Sequence, residues 1–177
     1  MMGRAKRNLM KAALLGAAAG AAGTAAMDAV EYRRYRQGGG TESFVPWETA
    51  QAVNKWPDAS APGQFGKHLV ERLTGRELPD RWARTTTNVV HWATGLGWGA
   101  QFGLVNAISG RHRVALSVLL GPTAWLSGYV ILPLAQVYKP IWDYDRATLA
   151  KDLGGHMAYG SVTSATFAAL ARRLAAP

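Results

Sequence analysis

Four long stretches of the chain carry no charged side chain, counting His as neutral: residues 12–27, 85–110, 114–138 and 153–171. They hold 16, 26, 25 and 19 residues, and three of them reach the roughly 17–25 residues a helix needs to cross a bilayer core. The first is one residue short, with Lys11 and Asp28 placed to reach outward from its ends. The pattern predicts an all-α protein, a four-helix transmembrane bundle forming a single membrane domain over residues 1–177. Its spans fall at about 9–30, 85–109, 114–137 and 150–171, with a partly helical extramembrane loop over about 31–84.

Small residues recur at helical spacing within these spans. Gly16 and Gly20 lie at i, i+4 in the first, Gly95, Gly99 and Gly103 at i, i+4, i+8 in the second, and Gly160 with Ser164 and Ala168 in the fourth. Inside a bilayer no hydrophobic force draws helices together, so close backbone packing at such stripes is a main source of association. The third span is the most lipid-like, and its Pro122 and Pro133 are expected to bend it and free carbonyls. The first span, Ala/Gly-rich behind a basic start, also fits a secretory signal peptide. Its few large apolar residues and its Gly16/Gly20 pair favour a retained helix.

The loop is punctuated by Gly38-Gly39-Gly40, Pro46, Pro57 and Pro62, with a short helix expected at about 47–55. Residues 63–75 place Phe65, Leu69 and Leu73 at i, i+4, i+8, an amphipathic stretch for the membrane surface or for the mouth of the bundle. Pro79-Asp80 marks the entry to the second span, and Trp47, Trp56, Trp82, Trp92 and Trp142 fall near the expected interfaces.

Charge then sets orientation. Arg4, Lys6, Arg7 and Lys11, the Arg111/Arg113 connection, and Arg172/Arg173 all fall on one side of an even-numbered bundle, which the positive-inside rule assigns to the cytoplasm. Arg33, Arg34 and Arg36, directly after the first span, run against that assignment. The net charge of +9 would ordinarily suggest nucleic acid. Here the basic residues flank spans, where anionic lipid explains them better, and no nucleic-acid partner is expected. The absence of Cys excludes disulfides, iron–sulfur clusters, cysteine zinc sites and thiol nucleophiles. No cofactor fingerprint is present, since the glycines at 95–103 sit inside a span rather than after a strand.

Candidate chemistry is confined to a few residues. His91 and His156 each lie about a turn inside a span and would face the same side, and an ionisable group at that depth is a functional candidate by default. The bland reading is a neutral imidazole bonded across helices. Asp143, Asp145, Asp152 and His156 gather at one mouth, with Asp152 and His156 at i, i+4. Asp145 occupies a helix N-cap position, and any metal at this cluster is left undetermined. Asn88, Gln101 and Asn106 place amides along the second span, while Thr123, Ser127 and Tyr129 dot the third; interhelical hydrogen bonding is their default role. Asp28 and Glu31, followed by Arg33 and Arg34, are expected to pair locally or to snorkel to the interface.

Several of these residues carry a likeness. Gly16-x-x-x-Gly20, His91-Trp92, Leu132-Pro133-Leu134, Lys139-Pro140-Ile141-Trp142-Asp143 and Gly155-His156 run in an order that resembles the YagU family. These are small bacterial inner-membrane proteins of unknown function. The resemblance implies a four-span inner-membrane protein and points to Asp143 and His156, and it brings no reaction or substrate. Three functional classes remain open: an accessory or assembly component with a membrane-protein partner or a homo-oligomer, a small transporter or channel using His91 and His156, and a membrane enzyme using Asp152 or Asp143 with His156.

Overall fold

The computed structural model describes residues 2–109 and 113–174, so Arg111 of the basic flank lies outside the described residues. Every regular element described is helical. Four long helices, α1 (Met2–Gln37), α4 (Ala83–Ser109), α5 (Arg113–Leu134) and α6 (Arg146–Arg173), form the body of the molecule. Two shorter ones, α2 (Phe44–Glu48) and α3 (Ala61–Thr74), belong to the segment between α1 and α4. The short helix therefore sits earlier than 47–55 and ends at Glu48. α1 overruns the expected span by seven residues, so Arg33, Arg34 and Arg36 lie within the helix, and Gly39, at φ +92, turns the chain just after it.

The long helices alternate in direction. Gly16 faces Gly99 and Gly103 while Gly20 faces Gly95 and Gly99, so α1 and α4 run antiparallel. Gly23 meets Tyr159 and Thr163 and Gly155 meets Met27 and Glu31, which sets α6 antiparallel to α1. Ser117 meets Ser164 while Gly121 meets Gly160 and His156, which sets α5 antiparallel to α6. One end of the bundle thus gathers the start of α1, the end of α4, the start of α5 and the end of α6; the other gathers the 38–82 segment and the 135–145 connection. α5 leans on α6 and scarcely touches α4.

Packing at these crossings is backbone on backbone. A Cβ at Gly16 would land on the Gly99 carbonyl, one at Gly99 on the Gly16 carbonyl, and one at Gly103 on the Ala12 carbonyl. Gly95 faces the Thr24 side chain, and Gly160 lies against Gly121. The large apolar side chains point the other way: Leu14, Val89, Ile108, Val118, Leu119, Leu126, Val130 and Ile131 are all exposed. The buried apolar cluster is small, Phe102, Leu120 and Tyr159, flanked by Met27, Trp98, Leu116 and Phe167.

Two helical stretches, Asn8–Gln37 and Val114–Leu134, are long and apolar enough to cross a membrane. α4 and α6 have the length but are diluted by Thr, Asn, Ser, Gly and His, which bring their mean hydropathy down. Both prolines are accommodated within α5, which ends at Leu134, three residues before the expected boundary; Gln136 then turns the chain at φ +59. Several amides and hydroxyls of the long helices bond back onto their own helix: Gln101 to the Gly97 carbonyl, Asn106 to that of Phe102, and Ser127 to that of Ala124. Bonds between elements are made by Asn88, which donates to the Thr49 carbonyl, by Tyr129 with Asp152, and by Tyr159, whose hydroxyl donates to the Gly95 carbonyl at 2.6 Å.

The 38–82 segment is built differently. Trp56 is buried there rather than set at an interface, with its indole N–H donating to the Leu78 carbonyl at 2.6 Å and its backbone N–H to Asp80 Oδ1 at 3.1 Å. α3 starts after Ser60, with Pro62 in its first turn, and ends on Gly75 at φ +65. It packs on α4 through Gly63 and Gly66, against Thr86, Thr87 and Val90, and leaves Leu69, Val70 and Leu73 exposed. His68 Nδ1 donates to the Ala135 carbonyl at 2.7 Å, which anchors α3 to the end of α5.

Candidate functional site

The charged groups within the bundle gather at the end capped by the 38–82 segment, in two pairs on either side of α1. On the α4 side, His91 Nε2 lies 3.0 Å from Asp28 Oδ1 and 3.1 Å from Oδ2. Asp28 is 5% exposed, so its partner is a residue 63 positions away rather than the neighbouring arginines expected of it. Glu48 joins them from α2: one ligand atom each from Asp28, Glu48 and His91 lies within 4.8 Å of the other two. The Glu48 Oε1 atom is shut off from solvent and meets no donor in hydrogen-bond geometry, while the Trp92 indole lies within reach of the carboxylate. Burial first, then the adjacent Asp28 carboxylate, raises the Glu48 carboxyl above its ordinary range.

Two sets of contacts place Glu48. Phe44 packs edge-to-face and Trp47 at a tilt against Tyr32, with ring centroids 5.2 and 5.3 Å away, which seats α2 on the end of α1. From the other side, the Thr49 carbonyl accepts from Asn88 Nδ2 at 3.0 Å and from Arg84 Nε at 3.0 Å. Asn88 is therefore a clamp that holds the end of α2 onto α4. Ala50, at φ +49, turns the chain immediately afterwards.

On the α6 side, His156 Nδ1 lies 3.0 Å from the Asp152 carbonyl oxygen and 3.4 Å from its carboxylate Oδ1. A carbonyl only accepts, so this nitrogen carries the proton. Tyr129 and Trp125 on α5 stand near the Asp152 carboxylate, within a cluster of rings that includes Tyr138 and Tyr144. The Tyr138 phenol, in the connection after α5, is pushed up to about 12 by burial and then by Asp152. Glu31 pairs with Arg34, as the local reading expected, and Arg34 also donates to the Lys151 carbonyl at 2.7 Å, tying α1 to α6.

The five residues singled out for polar or ion chemistry thus separate. His91 belongs to the Asp28–Glu48 group and Asn88 braces it, His156 pairs with Asp152, and Asp143 stands exposed in the 135–145 connection. Asp145 caps α6, accepting from the Thr148 N–H at 2.9 Å and from its hydroxyl at 2.7 Å. Glu48 escaped the sequence reading. The only signal for it was an acidic residue in an aromatic-rich segment, Phe44-Val45-Pro46-Trp47-Glu48, and nothing in its spacing relates it to Asp28 or His91.

The class defined is an all-α bundle with glycine-lined helix crossings and two carboxylate–imidazole pairs at one end. Comparison with family models, with curated proteins and with solved structures finds no match to this chain. The likeness to YagU-type proteins consequently rests on its short motifs alone.

Proposed function

We propose that the chain is a four-span membrane protein of the bacterial inner membrane, related to the YagU-like proteins, with both termini in the cytoplasm. We infer that it serves as a non-catalytic accessory or assembly component. The observation that carries this reading is the inversion of the bundle: glycine, alanine and threonine occupy the crossings while leucine, valine and isoleucine face outward. Outward-facing aliphatics along α1, α4 and α5 suit hydrocarbon, and backbone contact is how helices associate there. Length supports it too, since the 19 charge-free residues of α6 span about 28 Å of helix, close to a bilayer core. Anionic lipid would neutralise Lys6, Lys11, Arg172 and Arg173 at the cytoplasmic rim.

An accessory role fits better than a conduit. The two imidazoles sit at one end only, and below them the α1–α4 crossing is closed by Gly16, Gly20, Gly99 and Gly103 in mutual contact. Native mass spectrometry of the full chain, extracted mildly from its own membrane, tests the reading. A stoichiometric membrane-protein partner or a defined homo-oligomer with retained lipid is expected. A lipid-free monomer recovered from the soluble fraction would overturn it.

A further inference from the structure

Asp28, Glu48 and His91 come from three separate elements, α1, α2 and α4. Two carboxylates in contact, one of them 5% exposed, are a costly arrangement unless positive charge offsets them. The imidazole supplies at most one such charge. Among the described residues, the groups that act electrostatically on Glu48 are Asp28, His91 and Trp92, and those that act on His91 are Asp28 and Glu48. Neither set includes a lysine or an arginine. Arg84, one turn before Asn88 on α4, is turned to the Thr49 carbonyl.

We propose that Asp28, Glu48 and His91 form a binding site for a divalent transition-metal ion that fastens the loop segment to the bundle. The donor set, one imidazole and two carboxylates, suits Zn2+, Mn2+ or Fe2+; Ca2+ prefers six to eight oxygens and Cu+ prefers sulfur. Donor atoms bound to one tetrahedral Zn2+ at about 2.0–2.2 Å stand roughly 3.4 Å from each other. Three atoms already within 4.8 Å of one another reach that spacing by side-chain adjustment alone. His91 Nε2 faces both Asp28 oxygens, so the metal would enter where a proton now lies between imidazole and carboxylate. Glu48 Oε1 is a shielded acceptor with no hydrogen bond to give up. The Trp92 indole, near the same carboxylate, would orient it as outer-sphere donors do. Three protein ligands leave a coordination position for water or a further ligand. This site is independent of the membrane reading, because its geometry does not require a bilayer.

The test uses the full chain in detergent, stripped with a chelator and free of any polyhistidine tag. Zn2+, Mn2+ and Co2+ are titrated with three readouts: bound metal per chain, visible Co2+ bands and melting temperature. One equivalent per chain is expected, with a rise in melting temperature and Co2+ bands of a site containing nitrogen and oxygen donors. Asp28→Asn and Glu48→Gln should each weaken binding by a hundredfold or so, and Trp92→Phe by about tenfold. Asp152→Asn should leave it unchanged. Glu48 lies outside the long helices, so the metal-free melting temperature of Glu48→Gln shows whether the variant is folded. Wild-type protein that takes up no metal at millimolar concentration, or a folded Glu48→Gln that retains full affinity, would overturn the proposal.

Discussion

The bundle and the segment that caps it obey opposite packing rules. Around Trp56 the chain folds in the manner of a soluble protein, with a large aromatic side chain inside, its indole N–H satisfied, and charges such as Lys67 covering it at 5.8 Å from the ring. In the bundle itself the long helices put glycine inside and leave Leu126, Val130 and Ile131 outside. Water drives the first arrangement, since burying an indole removes much apolar surface from solvent. It does not account for the second, because a chain folding in water gains little by burying Gly99 while exposing Ile131. The contrast within one polypeptide argues for two different surroundings more strongly than either region does alone.

The sharpest way to break this contrast is to place volume at a crossing. Gly99→Leu sets a branched side chain against the Gly16 carbonyl and the Gly20 backbone, which no rotamer relieves. A loss of about 3 kcal/mol or more is expected, enough to part α1 from α4, read as lost helicity and early denaturation in detergent. Trp56→Ala empties the interior of the other region. It should cost about 3 kcal/mol, confined to the 38–82 segment, which would become cleavable by protease while the four long helices persist. If Trp56→Ala unfolded the bundle as well, the two regions would not be separate cores.

Smaller changes sharpen the comparison. Tyr159→Phe removes the hydroxyl that donates to the Gly95 carbonyl and should lower stability by about 1 kcal/mol, with the helices still packed. The least effect concerns Asp145, whose carboxyl is held below its ordinary value of 3.8 by the Thr148 hydroxyl and then by its backbone N–H. A depressed carboxyl contributes stability that is complete above the unfolded value and is lost as pH falls through the folded one. Wild type should therefore lose this contribution below about pH 4, whereas Asp145→Ala should show no such step in an acid titration followed by amide exchange at the start of α6.

What the sequence revealed divides along the same line. Helices, alternation and glycine crossings were legible because they repeat: charge gaps of span length and glycines four residues apart each carry a period. Asp145 was legible because capping is local. The Asp28–Glu48–His91 group was not, since its members lie 20 and 43 residues apart along the chain with no shared period. Asp28 had arginines within reach in sequence, yet the helical rotation of α1 turns it toward α4. Trp56 was read as an interfacial ring because composition alone does not tell an aromatic that anchors in lipid from one that a small loop folds around. Mean hydropathy sets α1 and α5 apart as apolar enough to cross a membrane, and α4 and α6, whose packed faces are rich in hydroxyls and glycine, fall below that level.

The proposed four-span arrangement can be tested directly because the chain has no Cys, so a single introduced thiol is labelled without background. Thr41→Cys lies in the loop segment and Ser109→Cys at the opposite end of the bundle. In spheroplasts a membrane-impermeant maleimide should label Thr41→Cys at once and Ser109→Cys only after lysis. Equal labelling of both before lysis, or recovery of both proteins in the soluble fraction, would contradict a bundle that crosses the membrane.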